Sequence, residues 1–208
     1  MRDTFQPDPT LPRAMAVAGI LGMATVTVLI LIADVVVPDH DWVADTISDL
    51  AAGRMELLLD SGLYAFSAGL IALALGAAHV HPGDRGWRWG TVGVALLGLV
   101  VFLIGARDEY GDGDSESVVI HLWLVGALYG LMATVPWAMS GGASAIRPGL
   151  GRGLLILSLV WIPVAPVFFV MPDGWDGLYE RGLAGLMFVF VTLLAATLWL
   201  AARRMDRL

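Results

Sequence analysis

Residues 15–37 read MAVAGILGMATVTVLILIADVVV, an apolar run that contains one charged residue, Asp34. A helix needs about 20 apolar residues to cross a hydrocarbon core roughly 30 Å thick, so this run predicts a transmembrane helix. Five comparable runs follow, and 58% of the whole chain is apolar. They cover approximately Leu57–Ala78, Trp89–Ala106, Val118–Met139, Leu154–Met171 and Leu178–Ala202.

Short connections join the six runs, which leaves little sequence for a separate soluble domain. We therefore expect one all-α domain, a polytopic integral membrane bundle of six transmembrane helices over residues 15–202. Residues 1–14 and 203–208 are expected to be short cytoplasmic tails.

The arginines indicate how the bundle is oriented. Nine of the twelve lie in the tails or in the second and fourth connections, whereas Arg54, Arg107 and Arg181 lie in or beside the other three. Because positive residues accumulate on the cytoplasmic side, both termini are expected on the cytoplasmic side of a plasma membrane. Fifteen of the nineteen acids then fall on the outside, which predicts acidic extracellular loops.

Composition excludes several kinds of chemistry. The chain has no cysteine and no lysine, so disulfides, thiolate metal sites and Schiff-base cofactors are absent. Two of its four histidines are predicted inside (His79, His81) and two outside (His40, His121), which excludes a three-histidine zinc site. No cofactor or metal is indicated, although His40, His121 and nearby carboxylates could together bind a metal ion. An acidic outer face also argues against nucleic acid.

Polar residues recur at one depth near the predicted outer ends of the spans. Glu56, Asp60, Tyr64 and Ser67 follow helical spacing and share a face. A charge inside a span is unfavourable unless it faces a partner, water or the bundle interior. We therefore expect an outward polar pocket. The alternative is that charged groups brace the helices in pairs: Arg181 with Asp34 or Asp60, Arg107 with Asp108 or Glu109, and His121 with a carboxylate. The candidate pocket residues are Asp34, Ser48, Asp49, Asp60, Tyr64, His121, Glu180 and Arg181.

Three local patterns add detail. Thr46-Ile47-Ser48-Asp49 matches a capping box and predicts the start of a short interfacial helix. Pro163 and Pro166 predict a kink in the fifth span. Small residues four apart predict close helix packing, and they occur at Ala14/Ala18/Gly22, Ala68/Ala72/Gly76 and Gly126/Gly130.

Arg181 is the base placed within the outer turn of a span. We expect its planar guanidinium to hold Asp34, Asp60 and Glu180 as their shared counter-charge. Arg181→Ala should then destabilise the bundle by roughly 3–5 kcal/mol if the site is dry, and by less at a wet rim. The variant should regain stability as acidification neutralises the carboxylates.

These features carry a family resemblance over about residues 12–204. Six short-looped spans, Ile47-Ser48-Asp49-Leu50 after the first, His121 opening the fourth and Glu180-Arg181 opening the sixth resemble the domain of unknown function 998 family. The first-loop pattern is also distantly similar to the Frag1/DRAM/Sfk1-like membrane proteins. That second likeness implies, loosely, a role connected with lipids, and neither likeness supplies catalytic residues.

Three functions are compatible with this sequence. The first is binding or handling of a lipid head group or small amphiphile in the outward polar pocket, with membrane lipids as partners. The second is a non-catalytic assembly or stabilising subunit, which would bind another membrane protein or a second copy of the chain. The third is a membrane-embedded hydrolase in which Ser48, Asp49 and His121 act as nucleophile, orienting group and base. Whether the chain is an enzyme stays open between them.

Overall fold

The computed structural model describes residues 8–51, 56–106, 115–172 and 174–207. Every regular element in these ranges is helical, and six helices are long and apolar enough to cross a membrane. The predicted all-α bundle of six apolar helices is thereby confirmed. Helices α1 to α6 span Thr10–Val36, Glu56–Val80, Arg85–Gly105, Ser115–Ile146, Pro148–Val164 and Asp176–Met205.

The helices form a closed bundle. Each packs against the next in sequence, and α6 returns to pack against α1, with further contacts to α2 and α4. The α1–α2 connection packs against the start of α6 at one end of the bundle, which we call the acidic end. The large side chains that fill the centre include Leu73, Leu97, Met132, Phe190 and Leu194, all almost fully buried.

Two of the predicted small-residue ridges lie where helices approach closely. A Cβ added at Gly22 would come within 2.5 Å of the Ala65 carbonyl on α2, and one at Gly76 would meet Leu198 on α6 at 2.7 Å. The third ridge was predicted wrongly, because a Cβ at Gly126 or Gly130 would meet nothing within 4 Å. Small residues four apart permit close packing, but a neighbouring helix must lie on that face.

The two prolines of the fifth span change the helix type. α5 ends at Val164 and continues as a 3-10 helix over Ala165–Val170. Proline has no N–H to donate and its ring crowds the preceding turn, so Pro163 and Pro166 together weaken α-helical bonding at this point. The structure thus shows a change of helix type where a kink was predicted, and the 3-10 segment brings Phe168 and Phe169 to the wall of the cavity described below.

Candidate functional site

A cluster of charged groups ties α1 to α6 at the acidic end. Nη2 of Arg181 donates to Oδ1 of Asp34 over 2.6 Å, and Nη1 donates to the carbonyls of Asp45 and Gly177 at 2.9 and 3.1 Å. The side chains of Arg181 and Asp34 are only 13% and 14% exposed. A guanidinium with this many partners is fixed in position, so it serves as a cross-link between the two helices and the loop that joins α1 to α2.

His40 completes this cluster, and its side chain is 3% exposed. Its Nε2 lies 3.1 Å from Nη2 of Arg181 and 3.2 Å from Oδ1 of Asp34, while its Nδ1 lies 3.5 Å from Oδ2 of Asp45. The Nε2 atom therefore faces both a donor, the Arg181 guanidinium, and an acceptor, the Asp34 carboxylate, while Nδ1 faces the Asp45 carboxylate. We call Asp34, His40, Asp45, Gly177 and Arg181 the arginine cluster.

The backbone of the loop and that of α6 also meet directly. The N–H of Leu178 donates to the carbonyl of Val43 at 2.9 Å. Gly177 is buried, and a Cβ added to it would lie 2.1 Å from the carbonyl oxygen of Asp45. A glycine at residue 177 is therefore what lets the loop pack against the first turn of α6.

The predicted capping box is present and begins a 3-10 helix at Ser48–Ala51. The Thr46 N–H and hydroxyl donate to Oδ2 of Asp49 at 2.7 and 2.8 Å, and the Asp49 N–H donates back to the Thr46 hydroxyl at 3.1 Å. Glu180 reaches the same turn from α6, because its Oε2 accepts the N–H of Ile47 at 2.5 Å. These bonds fix the 3-10 helix above the bundle interior.

Beneath this 3-10 helix lies a cavity of about 420 Å³. Volumes of roughly 300–1,000 Å³ are usual for small-molecule sites. Polar groups line its opening, which we call the mouth: Thr46, Ser48, Asp49, His121, Asp176 and Glu180. Within the mouth, Oγ of Ser48 lies 3.5 Å from Nε2 of His121, a residue that is 7% exposed.

The interior of the cavity is apolar and is formed by all six helices. Val26 and Ile30 come from α1, and α2 and α3 add further aliphatic side chains. Aromatic rings form much of the remaining wall, and several of them pack edge to face or tilted against one another, as do Tyr129 and Trp161 with centroids 5.4 Å apart. The aromatic wall residues are Phe66, Tyr129, Trp161, Phe168, Phe169 and Phe188. The cavity thus combines a polar opening with a deep apolar chamber.

Comparison with known protein families identifies the family of this chain. The model of a family described as "Protein of unknown function (DUF998)" matches residues 17–197, which is most of the chain. The chain belongs to this family. No curated protein matches it, and neither does any solved structure. The family therefore accounts for the six-helix region and assigns no activity to it.

Half of the eight pocket residues predicted for this DUF998 chain line the cavity: Ser48, Asp49, His121 and Glu180. Asp34 and Arg181 lie beside it in the arginine cluster. The predicted pairing of Arg181 with Asp34 is therefore present. Glu180 accepts the N–H of Ile47 at the mouth.

Tyr64 and Asp60 lie outside the cavity wall. The Tyr64 hydroxyl donates to the carbonyl of Gly105 on α3 at 2.9 Å, and one turn further on Ser67 donates to the carbonyl of Gly98 at 2.7 Å. Asp60 is 7% exposed and lies on the same predicted face. The stripe was predicted as one helix face, and that face packs toward α3. The predicted pairing of Arg107 with Asp108 or Glu109, and the position of Arg54, lie outside the described residues.

Sequence reasoning missed three contributors to this region of the DUF998 fold. His40 and Asp45 belong to the arginine cluster, and Asp176 belongs to the mouth. The signal for Asp176 was available, because it lies one turn before Glu180 on the same helix face. His40 follows a residue with positive φ, Asp39 at 59°, and such loop geometry has no periodic pattern to read.

Proposed function

We propose that this protein binds an amphiphile, with the polar head at the mouth and the apolar portion in the chamber between the helices. One observation carries the proposal: a single cavity joins hydrogen-bonding groups at its opening to an aliphatic and aromatic interior. Such a gradient of polarity complements a molecule that has one polar end. Membrane lipids and other long-chain compounds are the class of partner that meets this description.

We further propose that both termini lie on the cytoplasmic side, which puts the mouth at the outer leaflet of a plasma membrane. Support comes from the arginines, which concentrate at the end opposite the mouth. The chain has no cysteine, so single cysteines can report the sidedness. Gly174 at the acidic end and Gly149 at the opposite end are matched positions, because both are exposed and a Cβ at either meets nothing within 4 Å.

In intact cells, Gly174→Cys should react with a membrane-impermeant maleimide and Gly149→Cys should react only after permeabilisation. The reverse pattern would place the mouth at the cytoplasmic leaflet. It would leave the binding proposal intact and correct the leaflet from which the amphiphile enters.

The geometry favours binding over the hydrolase alternative. Ser48 and His121 are within 3.5 Å, but the carboxylate of Asp49 accepts two hydrogen bonds from Thr46. The hydrogen bonds of Asp49 are thus those of a helix cap, a structural role that accounts for this carboxylate without catalysis. The cavity also favours binding over a purely structural subunit, since a subunit that only stabilises its partner needs no preformed chamber.

Binding can be tested with a photoactivatable probe in proteoliposomes. A long-chain alcohol with a diazirine in its alkyl chain should label cavity residues on α4 and α6 saturably, and excess unlabelled alcohol should compete. Ala184→Phe narrows the cavity, because Ala184 lines it. Val189→Phe is the matched control on the same helix, since Val189 is 47% exposed on the outside of the bundle.

We expect Ala184→Phe to remove most of the saturable labelling and Val189→Phe to leave it unchanged. Labelling that is spread evenly over the outer helix faces, with no saturable component, would overturn the proposed function. So would an equal response of the two variants.

A further inference from the structure

We infer that the mouth selects the charge of the amphiphile, accepting a protonated amine head group in preference to an anionic phosphate. The inference rests on the proposed function. Three of the residues that line the mouth are acids, Asp49, Asp176 and Glu180, and no arginine is found among the described residues of the cavity wall. The chain contains no lysine at all. Among the described residues, the charged side chains of acids and arginines that line the opening are therefore all acidic.

Among the described residues, the arginine next to the mouth in sequence does not reverse this sign. Arg181 follows Glu180 directly, yet its guanidinium points away from the cavity to Asp34, His40 and the carbonyl of Asp45. Swinging it into the mouth would leave Asp34, which is largely buried, without that positive partner. This guanidinium is therefore already committed to the arginine cluster.

The carboxylates of the mouth are also held in position. Ile47 donates to Glu180, Thr46 donates to Asp49, and the N–H of Gly177 donates to Oδ1 of Asp176 at 3.2 Å. Each carboxylate can accept more hydrogen bonds than one. A protonated amine offers three N–H donors and no acceptor, whereas a phosphate offers acceptors and negative charge. The mouth and the amine are complementary in both respects.

The chamber strengthens this preference. Its aliphatic and aromatic walls exclude water on one side of the mouth, and a Coulomb interaction is stronger where the effective dielectric constant is below that of water. A neutral hydroxyl head should be accepted with intermediate affinity, because it can donate one hydrogen bond without repulsion. The expected order is amine, then alcohol, then phosphate.

Three probes with the same diazirine-bearing alkyl chain and an amine, hydroxyl or phosphate head would test this order. They would be compared in proteoliposomes of phosphatidylcholine at neutral pH. Cavity labelling would be divided by labelling of lipid-facing residues in the same chain, which corrects for unequal partition into the bilayer. We expect the amine to exceed the phosphate by about tenfold, and the ratio to fall with added salt.

Two substitutions remove one negative charge each and keep an oxygen acceptor: Asp176→Asn and Glu180→Gln. Each should lower the ratio of amine to phosphate labelling by roughly threefold, as the loss of one nearby charge in a partly wet site predicts. Asp39→Asn is the matched control. It removes the same charge at the acidic end from an exposed residue outside the cavity wall, and asparagine tolerates the positive φ found there. The control should leave the ratio unchanged.

The outcomes separate the two levels of proposal. Saturable labelling by all three probes with no preference, or with phosphate preferred, would overturn the charge selection and leave amphiphile binding standing. A preference that responds equally to Asp39→Asn and to the mouth variants would also overturn it, because the selection would then belong to the whole surface. Absence of saturable labelling with every probe would overturn the proposed function itself.

Discussion

Glu180 and Arg181 are adjacent in sequence and belong to two different regions of the same end of the bundle. Arg181 belongs to the arginine cluster, where the side chains of Asp34, His40 and Arg181 face one another and are little exposed. Glu180 enters the mouth, where polar groups surround an opening. An α-helix turns about 100° per residue, which is enough to direct two neighbours to opposite sides of one helix edge. The difference separates a part that holds the bundle together from a part available to a ligand.

This comparison predicts that variants of the arginine cluster mainly change stability, whereas variants of the mouth mainly change binding. The largest expected effect is that of Arg181→Ala, which removes the guanidinium that pairs with Asp34 and its two contacts to the loop, at the Asp45 carbonyl and at His40. We expect a loss of about 3 kcal/mol in the free energy of unfolding, measured by denaturant titration in mixed micelles. Arg88→Ala is the control, because Arg88 is exposed at the opposite end and should have little effect.

A second substitution in the Arg181→Ala background shows whether the two regions are independent. Asp34→Asn should restore part of the lost stability, because it neutralises the carboxylate that lost its partner. Glu180→Gln should restore none. Equal recovery from both would mean that the cluster and the mouth form one electrostatic unit, and the comparison would fail.

Gly177→Ala is expected to have the next largest effect. Its methyl group would lie 2.1 Å from the carbonyl of Asp45, so the loop or the helix must move. We expect a destabilisation of about 2 kcal/mol, as for other overpacked sites. Gly182→Ala, also on α6, meets nothing within 4 Å and should instead stabilise the helix by about 0.5 kcal/mol through its better propensity. A stabilising Gly177→Ala would contradict the close contact.

Thr46→Ala should have a smaller effect on stability and a larger one on binding. It removes the cap of the 3-10 helix that carries Ser48 and Asp49, at a cost of about 1 kcal/mol. Saturable labelling by the alcohol probe should fall, since the mouth loses its ordered rim. Thr192→Ala is the control: its hydroxyl bonds to a carbonyl of its own exposed helix face, and neither measurement should change.

A carboxylate outside both regions gives the baseline for pH effects. The backbone N–H of Thr10 donates to Asp8 at 2.8 Å and holds the pKa of Asp8 below its usual value. A lowered pKa stabilises the folded state above the unfolded-state pKa, and this stabilisation is lost as pH falls through the folded-state pKa. Asp8→Asn should therefore lower Tm very slightly at neutral pH, and the difference should vanish in acid. A difference that is constant with pH would contradict this account.

The sequence predicted those parts of the molecule that show a periodic pattern of residues or a local sequence motif. Six apolar runs became six helices, the proline pair ended α5, and Thr46 and Asp49 formed their capping box. Spacing could not say which neighbour a helix face meets. Tyr64 was predicted to face the pocket and instead bonds to Gly105 on α3. His40 depends on loop geometry, so its place beside Arg181 was accessible only through the fold.

The change of helix type in the fifth span also affects how that span matches the bilayer. α5 proper has 17 residues, which at about 1.5 Å per residue gives roughly 25 Å, short of a hydrocarbon core of about 30 Å. The six residues of the following 3-10 helix rise by about 2.0 Å each and add roughly 12 Å. The more extended winding gives about 3 Å more reach than the same residues would have as α-helix. How well this span matches the thickness of the bilayer therefore depends on its prolines. We expect a change in bilayer thickness to act on the protein mainly through this 3-10 helix, which also lines the cavity.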